Sequence, residues 1–451
     1  MRTTSVATLE DEPPRDLQPA TGNVAVNRPA NRRFFRDMSS SFVDQALLSL
    51  INLAVGMVFI RFATKGEYAA YAQVMALVYL TTSIQNALIN SPALTLLPRK
   101  EQEEREAFAG CLFNLQAAFS LAFAVVAGSA VWWGPEFFSL HDASGRIALA
   151  LALAIWVGWM RDFVRNQLFV GLHTDSCLRL DLLYAMLTAA GFALLITGGE
   201  ITADRVLLML SFVGVVTGLP WLVGTGIRFH RDWKRTRAAL GEAWTLAKWS
   251  LPGGLVSWAF ANGYVLITTE TAGAYATAEI VAARLFVAPL GVAYMAWANV
   301  FRPRASHWLA AGDVGKVRQV SYGAVLGIVV GVIIYLAALS LVYPLLEQHL
   351  LGEKYRGLAT VIAWWGGFFA AGGVAGIGTG VLLALGRTRE IFVAAAIGCL
   401  VSIPSMFVLG NSLGKTGILL GLTTGEVIAA IGLLLSVQRG FRSLEKSRAE
   451  S

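Results

Sequence analysis

The sequence predicts an all-α polytopic membrane protein of about twelve transmembrane helices in two six-helix pseudo-symmetric lobes. Three observations carry that expectation. Charged residues make up 14% of the 451 positions and hydrophobic residues 56%, with a mean hydropathy of +0.59, whereas soluble domains carry about 25% charged residues. Apolar runs recur at about the 20-residue length that a helix needs to cross the hydrocarbon. Lys and Arg collect in alternate connections. This composition excludes a soluble globular enzyme, a disordered chain and a fibre.

Along the chain, 1–36 is rich in Pro, Thr, Asn and Arg, and the first apolar run begins at Phe42. The segment reads as a disordered cytosolic tail without a cleavable signal peptide. Runs near 42–62, 69–90, 107–133, 147–169, 180–197 and 206–227 give six spans within an N-terminal lobe at 37–228. The connection 229–249 combines an Arg/Lys cluster with Trp233, Trp244 and Trp249. That pattern predicts an amphipathic cytosolic linker on anionic lipid. Runs near 250–270, 275–300, 319–346, 357–385, 391–410 and 414–437 give a C-terminal lobe at 250–438, and 439–451 is a second cytosolic tail. Backbone groups in lipid must be satisfied within the segment, so continuous runs of this length predict helices rather than barrel strands.

With the N-terminus inside, the inner segments hold 26 of the 36 Lys and Arg and the outer segments six. The positive-inside rule then puts both termini in the cytosol of a multi-pass protein of the cell inner membrane. The same bias explains the pI of 9.4 without a nucleic-acid partner. Cys111, Cys177 and Cys399 show no CxxC spacing, and the five histidines form no close pair. No metal or cofactor is expected from such a set.

The halves repeat. Residues 51–77 and 258–284 match at ten positions without a gap, including Gly66/Gly273, Tyr68/Tyr275 and Ala69/Ala276, and Pro98-Arg99 recurs as Pro303-Arg304. Six helices is an even number, so the halves share one orientation and relate by a pseudo-twofold along the membrane normal. Parallel repeats of this kind place a substrate pathway between them.

The stretch from Ser40 to Pro98, with Asn52 in the first helix, Gly66-Glu67-Tyr68 at the turn and Tyr71-Ala72-Gln73 opening the second, resembles the start of Wzx-like polysaccharide exporters. These belong to the multidrug/oligosaccharidyl-lipid/polysaccharide (MOP) flippase superfamily. The resemblance implies a V of two lobes, alternating access, a cavity lined by helices 1, 2, 7 and 8, and a substrate with a polyprenyl-diphosphate tail and a sugar head. Peptidoglycan-precursor flippases of the superfamily carry two further C-terminal helices, so the resemblance is expected to lie with the polysaccharide branch.

Ionisable residues within spans mark pathways or pair with one another. Arg284, mid-helix 8, is the first candidate for the diphosphate, because a guanidinium forks onto phosphate oxygens; its structural alternative is a pair with Glu279 or Glu270. Arg61 either guides an anionic sugar or snorkels to the interface. Arg161, Asp162 and Arg165 form an ion-pair network by their i,i+3 and i,i+4 spacing, or recruit phosphate at the inner mouth. Asp44 and Glu426 are candidates to carry a coupling proton or pair with sodium, or else sit in internal salt bridges. The amides Asn52, Gln73, Gln85, Asn86, Asn114, Gln116, Asn262 and Asn299 suit either sugar hydroxyls or interhelix bonding. Glycines at four-residue spacing, Gly323/Gly327/Gly331, Gly372/Gly376/Gly380 and Gly417/Gly421/Gly425, predict close helix packing.

The functional expectation is translocation of an undecaprenyl-diphosphate-linked oligosaccharide for surface polysaccharide assembly, with membrane lipids, glycosyltransferases and a polymerase as partners. The alternatives are a cation-coupled multidrug-type exporter of the same fold and a membrane glycosyltransferase or polymerase. The last would want a large outer loop with catalytic side chains, and the longest outer connection, 134–146, has no such set.

Overall fold

The computed structural model describes residues 28–134, 144–171, 173–199, 201–224 and 232–450. Most of the expected N-terminal tail, 1–27, lies outside them. The first half comprises α1 (Arg28–Phe62), α2 (Lys65–Gln85), a π turn (Asn86–Asn90), α3 (Ser91–Leu96), α4 (Gln102–Trp133), α5 (Ser144–Val170), α6 (Thr174–Thr197) and α7 (Ala203–Gly224). The second comprises α8 (Trp233–Trp258), a π turn (Ala259–Gly263), α9 (Tyr264–Ala272), α10 (Ala274–Ala310), α11 (Val314–Leu346), α12 (Ala359–Ala384) and α13 (Thr388–Glu450).

Ten helical stretches among the described residues are long and apolar enough to cross a membrane. Two features raise the crossings to twelve. First, α13 reverses at Gly414, whose φ of 58° lies where a side chain is strained. A Cβ on Gly421 would lie 2.6 Å from the Met406 nitrogen, and one on Gly425 2.5 Å from the Gly398 carbonyl oxygen, so the two arms run antiparallel in backbone contact. Second, α8 and α9 together make one pass. The Asn114 side chain of α4 donates to Thr236 Oγ1 near one end (3.1 Å). At the other, Thr271 Oγ1 lies 2.8 Å from where a Cβ on Gly410 would be.

The ends of these helices are written locally. Thr64 Oγ1 accepts from the Glu67 amide (3.2 Å), Asp232 from Lys234 (2.9 Å) and Asp313 from Lys316 (2.9 Å). Each fills an orphan donor of a first turn. Residues 233–249, most of the expected linker, form the first part of α8 in one helix with 250–258. Its small face, Thr236, Ala239, Ala243 and Ala247, is buried, and Ala239 and Ala243 pack on Ile89, Ala93 and Phe108 of the first half. Trp233, Trp244 and Trp249 stay exposed.

Neighbour relations repeat between the halves. In the first, α2 and α4 pack on α5, α5 on α7, α6 on α7 and α1 on α6. In the second, α10 and α11 pack on α12, α12 on the second arm of α13, arm on arm, and α9 on the first arm. One packing scheme used twice gives the expected two-lobe architecture. At the end remote from the termini a single apolar core, with Phe59, Tyr68, Tyr264, Tyr355 and Trp365, joins the lobes.

Candidate functional site

A cavity of about 1140 Å³ lies within the second lobe, between α8, α10, α11, α12 and α13. Small residues make the space. Gly327 and Gly331 of α11 line it, and a Cβ on either would meet nothing within 4 Å. This corrects the expectation of packing for that stripe: α11 turns its glycines to the void, while the Gly417/Gly421/Gly425 stripe does pack, inside the α13 hairpin. On α12, a Cβ at Gly376 would fall 2.0 Å from the Tyr294 hydroxyl, so glycine is what admits that side chain.

Arg284 lines the cavity from α10. Its Nη1 donates to the Ala261 carbonyl (2.7 Å) and the Tyr264 hydroxyl (3.2 Å). The guanidinium carbon sits 5.6 Å from the Tyr264 ring centroid and 5.4 Å from that of Trp365, within cation–π range. Trp365 is fixed by its indole donating to the Ile280 carbonyl (2.9 Å). Ala261 belongs to the π turn between α8 and α9, so Arg284 braces the break in that pass. Among the described residues no carboxylate pairs with Arg284. Glu279, one of its expected partners, instead takes Lys65 (2.5 Å) and Lys415 (2.6 Å).

Glu426, from the second arm of α13, lines the same cavity. Among the described residues its carboxylate has neither a hydrogen bond nor an ion pair, and Oε1 lies 3.4 Å from where a Gly372 Cβ would be. The other expected site residues lie elsewhere. Arg61 is exposed at the remote end of α1, Asn52 is exposed, Gln73 is buried with Oε1 unpartnered, and Asn262 is half-buried in the π turn; none lines the cavity.

The first lobe uses its charges differently. Arg161 binds Asp181, and Arg165 binds both Asp181 (2.8 Å) and Asp44 (2.9 Å), with Asp162 at 4.0 Å. Arg161 also stacks on Tyr184 (3.8 Å). This network ties α1, α5 and α6. Asp181 was not singled out from sequence, although a carboxylate at the start of the 180–197 apolar run was the available signal. Asp44, Cys177 and Asp181 bring ligand atoms within 4.8 Å of one another, but both arginines already occupy those carboxylates. Gln85 and Gln116 both donate to the Trp159 carbonyl (2.9 and 2.8 Å) and Asn90 donates to Asn86 (2.7 Å), as interhelix or local bonds. The side chain of Asn299 lies outside the described residues.

The lobes are latched at the remote end. Lys65 begins α2 and Glu279 lies in α10, so their ion pair crosses between lobes, as does the bond from Lys354 to the Ala63 carbonyl. Burial, then the positive Lys65 and Arg61, hold the Lys354 amine below the usual lysine range.

No protein-family model matches the chain, and no curated protein matches it. Solved structures do. A lipid II flippase MurJ in an inward closed conformation superposes with a TM-score of 0.73 at 14% identity, covering 91% of this chain and 90% of that one. A multidrug resistance MATE family transporter of the MOP superfamily in its inward-facing conformation gives 0.72 at 14% identity, over 88% and 95%. An outward-facing conformation under the same description gives 0.57 at 13%, over 92% and 96%. The chain therefore shares the overall fold of these solved structures, and its two lobes meet at the end that carries the Lys65–Glu279 pair.

Proposed function

We propose that the protein flips a polyprenyl-diphosphate-linked oligosaccharide across the bacterial cytoplasmic membrane by alternating access, for surface or exopolysaccharide assembly. Both termini are cytosolic in this reading, so the remote latch closes the outer side. Arg284 carries the proposal: a guanidinium without a carboxylate partner faces a cavity that is otherwise mostly apolar. Leaving such a charge in a membrane is costly, and an anionic headgroup satisfies it. Its present partners, a carbonyl and a hydroxyl, are ones a diphosphate outcompetes through charge-assisted, forked bonds. Glycosyltransferases supply this substrate and a polymerase consumes it.

Arg284→Ala is expected to abolish export of the polymer, with lipid-linked oligosaccharide accumulating inside, while the protein still reaches the membrane. Arg284→Lys keeps charge without the fork and is expected to be partly active. Wild-type export by Arg284→Ala at equal protein level refutes the role.

Glu426 favours a second reading, the cation-coupled exporter. Loss of transport in Glu426→Gln together with retained transport in Arg284→Ala selects it.

A further inference from the structure

The cavity holds a basic and an acidic side chain that do not pair with each other. Arg284 enters from α10 beside the π turn and Glu426 from the second arm of α13, and among the described residues neither has an ion pair. Glu426 differs from the other carboxylates buried within the spans. Asp44 and Asp181 bind arginines, and Glu279 binds two lysines. The protein thus pairs these carboxylates in both lobes, Glu279 in the same lobe as Glu426, and leaves Glu426 open to the cavity.

Arg284 is the one basic side chain among the residues that line the cavity, so none beside it can stand in for a counter-charge. The aromatic side chains around the space include Phe260, Phe368, Phe369 and Trp297. A carboxylate among such groups needs either a proton or a cation. Aromatic faces add attraction for an organic ammonium group. Glycine at 372 leaves the approach to Oε1 clear.

We propose that the transported headgroup is dipolar: its diphosphate lies on Arg284, and an amino-bearing sugar places its ammonium on Glu426. The inference rests on the flippase reading of the cavity and adds to it a substrate class, lipid-diphosphate glycans with a free amine. A neutral glycan leaves the carboxylate unmatched, and an acidic sugar placed there repels it.

Two probes that differ at one group test this: geranyl-diphosphate-linked glucosamine and its N-acetyl counterpart, titrated onto the purified full-length protein in nanodiscs. The wild type is expected to bind the free-amine probe at least about tenfold more tightly, the size of one charge-assisted hydrogen bond. Glu426→Gln is expected to bind both probes alike, and Glu426→Asp to keep part of the preference. Monodisperse elution of each variant confirms folding. Arg284→Ala is expected to lose both probes. Equal binding of the two probes by the wild type overturns this inference and leaves the flippase reading standing. Binding of neither overturns both. A preference that survives in Glu426→Gln, or equal binding whose strength depends on sodium and on Glu426, also overturns the inference, the latter in favour of a coupling-ion site.

Discussion

The two lobes share one packing scheme and spend their polar residues in opposite ways. In the first, Arg161 and Arg165 are absorbed by Asp181 and Asp44, and two glutamines converge on one carbonyl. In the second, Arg284 and Glu426 face a cavity without meeting a counter-charge. The outer helices differ to match. Half of the most apolar stretch of α4 is buried, against 6% for its counterpart α11. The first half of α8 crosses over to pack on the first lobe, and α11 receives no comparable cover among the described residues. A duplicated bundle can therefore keep one copy as a rigid body and hollow the other for a ligand.

The largest test of that contrast removes the centre of the rigid copy. Asp181→Ala strands the buried Arg161 guanidinium and leaves Arg165 with Asp44 and Asp162, and it is expected to destabilise the protein by about 3–5 kcal/mol, the cost of breaking a buried pair. Yield and thermal unfolding in detergent measure it; a wild-type melting point would show that the network contributes nothing.

Glycine substitutions separate the lobe's packed and hollow parts. Gly421→Ala drives a Cβ to 2.6 Å from the Met406 nitrogen and is expected to cost about 1–3 kcal/mol. Gly327→Leu fills open space: binding should weaken while the melting point barely moves. Equal destabilisation by both would make α11's stripe a packing surface after all.

The smallest effect concerns the latch. Lys65→Ala removes one charged bond between lobes and is expected to shift the closed population only several-fold. Spin labels on Phe62→Cys and Tyr275→Cys, exposed positions in different lobes, read the change as a longer distance. An unchanged distance distribution would show that the apolar core alone holds this end shut.

Much of this was legible in advance. Apolar run lengths located the spans, including both arms of α13, because desolvation acts on local composition. The repeat around Gly66-Glu67-Tyr68 pointed to the shared scheme. It also shows the limit of local reading: Tyr68 is buried between the lobes, whereas its equivalent Tyr275 is 69% exposed. Arg284 could be picked out as a mid-span charge. Its partners could not, since Ala261 contributes only a backbone carbonyl. Nor could spacing reveal which glycine stripe meets a helix and which meets a void, because both read alike along one chain. The amides were placed by tertiary contact, so Asn52 and Gln73 gave no cavity group while Gln85 and Gln116 became structural ties.

The doubly bound Glu279 has a consequence for any separation of the lobes. Lys65 belongs to the first lobe and Lys415 to the second, the lobe that carries Glu279 itself. When the lobes separate, only Lys65 leaves, and the carboxylate remains neutralised by a companion travelling with it. On the proposed transport cycle, opening this end would release the Lys65 ammonium, together with the Lys354 bond to Ala63, to water without orphaning the Glu279 carboxylate. The strength of the latch would then be adjustable at position 65.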